Sequence, residues 1–298
     1  MYKYDLAALK AGLQAIIIKN TNPETAEWLQ EKATAIEAEK GKASQLNLAF
    51  VAAPRKTGRS VIQVTADESR ALQSVRSNFM VEGWTIDRLS RIWLLLHLDA
   101  TDQNNYIRII ENLFPAAEMN ELVALYSALP LLAYPEAWRK RCAEGIRSNI
   151  GMVLESIMSL NPYPSEQLDE AAWNQLVLKA FFTEKPIHQI IGLEQRANPA
   201  LAHTLSDYAH ERWAAHRPVN PQLWRCVGPF IDEQIFPDIE RIYNSENAVE
   251  REAAALACSH SSYGPAQQLL EKNGYLKDAI KNGTLTWNGI AEKAQPVS

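Results

Sequence analysis

A chain of 298 residues, 47% hydrophobic and 22% charged, is long and apolar enough to bury its own core as one large domain or two ordinary ones. Its 35 acidic residues outnumber 30 basic ones, giving a net charge of −5, the wrong sign for a broad nucleic-acid footprint. Cys142, Cys226 and Cys258 are odd in number and share no C-x-x-C spacing; this excludes a zinc ribbon, argues against a disulfide framework and fits a reducing cytoplasm.

The N-terminal stretch MYKYDLAALKAGLQAIIIKN is apolar but interrupted by Lys10, Gln14 and Lys19. It is followed by no small-residue cleavage site, so no signal peptide is expected. No run of about 20 apolar residues exists anywhere, so no membrane-spanning helix is expected either. The first helix is predicted over 6–19. Asn22-Pro23-Glu24 supplies a cap and a first-turn proline for a helix over 23–39, and a third helix spans 43–53.

The segment VAAPRKTGRS (51–60) lacks G-x4-G-K-[ST] and has one glycine, so it is expected to be a solvated connector rather than a phosphate loop. RSVIQV (59–64) is the one strand-like run; alone it makes no sheet, and an extended connector is the expectation. Thr65 and Glu68 fit a capping box for a helix over 66–77.

In WTIDRLSRIWLLLHLDA the helix over 86–98 puts Ile86, Leu89, Ile92, Trp93 and Leu96 on a core strip and Asp87, Arg88 and Arg91 on a polar strip. His97 edges onto the apolar side, the usual place of a satisfied core histidine rather than a catalyst. Helices follow over 102–113, 117–128 and 136–159. NPYPSE (161–166) is the clearest break. It divides the chain into an N-terminal helical subdomain, 1–160, and a C-terminal one, 161–298, expected to pack together as one unit.

The remaining helices are predicted over 166–183, 187–194, 199–216, 221–226, 230–243, 246–258, 264–273, 276–281 and 287–294. Helix after helix with short links predicts an all-α fold, an irregular helical array or solenoid. The Ala/Leu-rich pairs within 238–272 suggest HEAT-like stacking in the C-terminal part.

Three features carry candidate chemistry. EAAWNQLVLKAFF (170–182) is apolar nearly all round, and Asn174 falls in the sector of Val177, Leu178 and Phe181, where a buried amide needs partners. It either holds a neighbouring turn in register or faces a ligand. On the helix over 199–216, Arg212 points into the apolar stripe between Leu205 and Tyr208. It is expected to form an internal ion pair or, in the functional reading, an anion clamp that Arg217 and Arg225 extend. On the opposite face, His203, Asp207 and His210 have a spacing that suits a transition metal. The preferred reading of that face is a solvated amphipathic surface, with no metal. No G-x-S-x-G, H-E-x-x-H, dinucleotide or kinase signature occurs, so no cofactor is expected.

The stretch from Trp173 to Phe230, with WNQLVLKAFF, IIGLEQRANPAL and DYAHERWAAHRPVNPQLWRCVGPF, resembles the EboA family of bacterial proteins. So do the APR segment near residue 54 and the helical REAAALAC. The resemblance implies membership in a bacterial gene cluster whose other products look like a prenyltransferase-type membrane protein and several metal- or sugar-type enzymes. That cluster is associated with moving specialised metabolites, such as an indolic sunscreen precursor, from cytoplasm to periplasm. It carries no assigned catalytic residues. The matched positions Asn174, Lys179, Arg196, Asp207, His210, Arg212, Trp224 and Arg225 are the candidate ligand-binding set, without roles.

Three readings follow. The preferred one is a non-enzymatic, cytoplasmic binding or adaptor protein whose partner is a small aromatic metabolite or another Ebo-cluster protein. Trp173, Trp213 and Trp224 with nearby arginines would form an aromatic and cationic lining. The second is an enzyme with His210 as acid/base and Arg212 or Arg225 stabilising an anion. His210 and Arg212 project about 160° apart on one helix, which counts against it. The third is a purely structural subunit of an Ebo-type complex.

Overall fold

Short polar side chains start many of the helices, among them Asn22 and Thr65 as the sequence predicts. In the computed structural model, which describes residues 1–294, Asp5, Asn22, Asp102, Asp169, Asn198, Asn247 and Asn273 each accept a hydrogen bond from an amide in the first turn they precede. Thr65 and Glu68 form the reciprocal capping box: the Thr65 amide donates to Glu68 Oε2 (2.7 Å) and the Glu68 amide to Thr65 Oγ1 (3.2 Å). Among the described residues there are 18 helices and no strand, so the fold is all-α.

Contacts divide the chain into two units. The first, Met1–Leu168, holds α1 (Leu6–Lys19), α2 (Pro23–Ala38), α3 (Ser44–Thr57), α4 (Ala66–Val75), α5 (Ile86–Leu95), α6 (Gln103–Glu111), α7 (Met119–Ala128), α8 (Arg139–Ile146), α9 (Gly151–Met158) and α10 (Tyr163–Gln167). The second begins at Asp169 and holds α11 (Glu170–Phe182), α12 (Pro199–Ala214), α13 (Leu223–Val227), α14 (Phe236–Tyr243), α15 (Ala248–Ser259), α16 (Gly264–Glu271), α17 (Gly274–Lys281) and α18 (Trp287–Ala294).

In the first unit α5 is the central helix. It packs against α1, α2, α3 and α7, and every residue from Leu89 to Leu95 is buried. Asp87 and Arg91 are buried with it, so the expected polar strip is an internal ion pair rather than a wetted face. Arg91 Nη1 donates to Asp87 Oδ2 at 2.7 Å, and Glu121 of α7 stands 3.6 Å from Nη2.

The third donor has a cause in the sequence. The helix predicted to stop at residue 53 instead continues through Pro54 to Thr57, absorbing most of the expected connector. Proline has no N–H, so the carbonyl four residues back, that of Phe50, loses its intrahelical partner. Arg91 Nε fills the vacancy at 2.9 Å. The remaining connector is extended: Val61 bridges Thr85, with Ile62 N donating to Trp84 O and Ile86 N to Ser60 O, both at 2.9 Å.

The predicted helix over 136–159 is broken. A 3-10 turn over Pro135–Trp138 leads into α8, and α9 starts afresh at Gly151. Ser148 Oγ accepts from the Ile150 amide at 3.1 Å, the local competition for backbone groups by which Ser interrupts helices. The NPYP break is equally unlike a linker. Asn161 is buried; its Nδ2 donates to the carbonyls of Ser156 (2.8 Å) and Tyr126 (3.2 Å), and its Oδ1 accepts from Tyr163 N (3.0 Å). Each such bond contributes about 1 kcal/mol, so one amide ties α7, α9 and α10 together. His97 is buried as expected, its Nδ1 2.7 Å from Glu37 Oε1, with Nε2 unpartnered.

In the second unit α15 is central. Ala253 to Cys258 are all buried, and the helix packs against α13, α14, α16, α17 and α18. Small side chains permit the approach: a Cβ on Gly228 would lie 2.8 Å from the Ala257 carbonyl oxygen. These contacts describe one helix surrounded by others and do not establish HEAT-type stacking. The helix expected over 187–194 is a 3-10 turn, Ile187–Gln189. All three cysteines are buried and unpaired. Burial pushes the Cys226 and Cys258 thiols up to about 12 and raises that of Cys142 as well.

Candidate functional site

The candidate residues distribute over α12 and the segments beside it. At its N-terminal end Asn174 and Asn198 exchange amide hydrogen bonds, Asn198 Nδ2 to Asn174 Oδ1 at 2.8 Å and Asn174 Nδ2 to Asn198 Oδ1 at 3.2 Å. Asn198 is the residue that caps α12 through the Leu201 amide. Asn174 therefore sets the register between α11 and the start of α12, one of its two expected roles. Nearby, Arg196 lies over the buried Trp173 ring, 5.0 Å from its centroid. Burial lowers the Arg196 pKa, and Glu170 and Asp169 offset part of the shift.

The other end of α12 carries a different cluster. Trp213 is half-buried and stacks on Trp224, which is fully buried, with ring centroids 6.0 Å apart and planes 22° apart. The guanidinium of Arg241, from α14, lies 4.1 Å from the Trp213 centroid. His210, one turn back, is 5.8 Å from Trp213 and pairs through Nε2 with Asp238 Oδ1 at 2.6 Å. Asp238 is buried in the first turn of α14, where the helix dipole favours a carboxylate. It also accepts from Ser206 Oγ at 2.6 Å.

Ser, His and Asp thus meet, but in the wrong order for nucleophilic catalysis. A triad needs the histidine between hydroxyl and carboxylate. Here the carboxylate sits between Ser206 and His210, so the serine proton is spent on Asp238. His203 is engaged separately, its Nε2 3.1 Å from Asp232 Oδ2, and Asp207 is exposed. Among the described residues no group of three His, Cys, Asp or Glu is disposed to hold a metal.

Arg212 does not enter the core. It is partly exposed and folds over the end of α12, where Nε donates to the Pro218 carbonyl at 3.0 Å. The long stem covers apolar surface while the head reaches outward, which replaces the expected internal ion pair. Arg225 pairs with Glu194 through Nε at 2.9 Å, and Lys179 is half-buried on α11.

The nine candidates therefore do not converge. Asn198 and His210 are twelve residues apart on one helix, about 18 Å along its axis. His210, Trp213 and Trp224 form one cluster, and Asn174 and Arg196 meet through Asn198 at the other end of α12. The residues that complete the first of these, Asp238 and Arg241, sit three apart on FPDIERIY (236–243) and so share a helix face; that spacing was the available signal for them.

No curated protein and no solved structure matches the chain. A family model described as Metabolite traffic protein EboA matches residues 9–228, well over half of the length. The match takes in nearly all of the first unit together with Asn174, His210, Trp213 and Trp224, and ends before Asp238, Arg241 and the REAAALAC helix. On that span the chain belongs to the EboA family.

Proposed function

We propose that this protein is a non-enzymatic binding or adaptor protein of metabolite traffic. It takes a small aromatic metabolite, or one of the other Ebo-cluster proteins, on the ledge formed by Trp213, Arg241 and His210. The carrying observation is Trp213 itself: a half-exposed indole held flat on a buried Trp224 with a guanidinium over its ring. The exposed indole edge and the guanidinium lying over the ring offer an aromatic and cationic surface to a partner, and Trp and Arg are the side chains that dominate protein interfaces. The family description supports the traffic role.

The enzymatic alternative has less to stand on, because Ser206 is spent on Asp238 and Arg212 and Arg225 are engaged elsewhere. Three unpaired cysteines favour the cytoplasmic side as the place of action. No helix among the described residues is long and apolar enough to cross a membrane.

Calorimetric titration of the full-length protein with indole and indole carboxylic acids, and capture of the other cluster products on the immobilised protein, test this reading. Saturable binding in either assay is expected, with a loss of about tenfold or more in Trp213→Ala. Absence of binding in both, or binding indifferent to Trp213→Ala, overturns it.

A further inference from the structure

The side of α3 that leaves the core is not composed like a wetted helix face. Leu46, Ala49, Phe50 and Ala53 are buried on the inner side, where the helix packs against α2 and α5. The outer side carries Leu48, Val51 and Arg55 at the i, i+3, i+7 spacing of one stripe. Leu48 is 66% exposed and Val51 58%. A single exposed aliphatic side chain is ordinary, but two adjacent ones leading to a cation form an amphipathic stripe that no helix of this chain covers.

The connector after α3 continues the pattern. Val61 is 57% exposed, and Arg55, Lys56 and Arg59 are exposed as well. Two constraints bring this connector beside the stripe. Arg91 bonds the Phe50 carbonyl, and the charge of Arg59 reaches Arg91, adding to the lowering of its pKa that burial begins. Arg59 therefore returns alongside the turn that holds Val51. Thr25 Oγ1 donates to the Lys56 carbonyl at 3.1 Å and holds the end of α3 in place.

Between Glu39 and Asp67 stand five basic residues, Lys40, Lys42, Arg55, Lys56 and Arg59, and no acidic one, in a chain whose net charge is −5. Lys40 and Lys42 lie near Asp99 and Glu39. Among the described residues Arg55, Lys56 and Arg59 form no ion pair. Glu68, which follows the connector, is held by Lys19 and by the Thr65 amide. The helix dipole accounts for Arg55 and Lys56 in the last turn of α3; it does not account for the aliphatic residues beside them.

Aliphatic side chains next to unpaired cations on an outward helix face complement the headgroup boundary of an anionic bilayer. There the apolar stripe enters the acyl edge and the cations meet phosphates. A nucleic acid would satisfy the cations and leave Leu48, Val51 and Val61 in water. A protein partner is met by aromatic anchors, and the stripe has none.

We propose that the outer stripe of α3 and the connector after it dock the first unit peripherally on an anionic membrane surface. This surface uses none of the residues of the Trp213 ledge and stands independently of it.

The full-length protein is sedimented with large vesicles of phosphatidylcholine alone and of phosphatidylcholine with phosphatidylglycerol in equal parts. Binding to the anionic vesicles only is expected, weakening as chloride is raised. Replacing Arg55, Lys56 and Arg59 together by glutamine weakens it by about a hundredfold, at roughly fivefold per cation. Leu48→Ser with Val51→Ser weakens it by about tenfold or more. All of these positions are exposed, and circular dichroism verifies that each variant is folded. No binding to anionic vesicles, equal binding to phosphatidylcholine alone, or binding indifferent to either set of replacements overturns the proposal. Equal affinity for polyglutamate or duplex DNA, with Leu48→Ser and Val51→Ser without effect, assigns the cations to another polyanion and overturns the membrane assignment.

Discussion

Asp87→Ala is expected to lower the unfolding free energy of the first unit by about 3–5 kcal/mol, the usual cost of leaving a buried charge without its partner. The substitution strands Arg91 inside α5 with Glu121 as its remaining carboxylate, at 3.6 Å. Urea denaturation followed by far-UV circular dichroism checks it. The double replacement Asp87→Leu with Arg91→Met removes both charges and recovers much of that loss, but not all. It leaves the Phe50 carbonyl, freed by Pro54, with no donor, a residual penalty of about 1–3 kcal/mol. A loss below about 1 kcal/mol for Asp87→Ala is what a solvated surface pair shows, and would mean the pair is not buried as described.

Trp224→Ala and Trp213→Ala are expected to part company. Trp224 is fully buried, and truncating it opens a cavity worth about 3–5 kcal/mol in the second unit. Trp213 is half-exposed and its loss costs roughly 1 kcal/mol of stability, mainly the stacking contact. Its effect falls on binding instead. Chemical denaturation and calorimetry on the same two variants separate these outcomes. If Trp213→Ala destabilises as strongly as Trp224→Ala, Trp213 is a core residue and the ledge is not a presented surface.

Much of the helical layout was legible because its signals are local. Asn22 and Thr65 announce helix starts through short polar side chains, and α1 spans the same residues in sequence and structure. Failures came where a distant partner changed the local preference. Pro54 reads as a helix stop, yet α3 runs through it because Arg91, from a helix over thirty residues away, satisfies the carbonyl the proline releases. Asn161-Pro162 reads as a break between helices, and the turn there is buried because the Asn161 amide finds the carbonyls of Ser156 and Tyr126.

The candidate site was half legible. Helical angles put His210 and Trp213 in play, but angles on one helix say nothing about what another helix delivers. Asp238 and Arg241 came from α14. Arg212 illustrates the converse error. Its angular position in the apolar stripe suggested burial, but it sits in the last turn of α12, where a long side chain reaches out past the end of the helix.

The three sheltered thiols give the molecule a built-in reporter. Alkylating reagents attack the thiolate, and neither the burial nor the raised pKa of Cys142, Cys226 and Cys258 leaves any to attack while the chain is folded. Modification therefore counts openings, and the positions sort them: Cys142 keeps time for the first unit, Cys226 and Cys258 for the second.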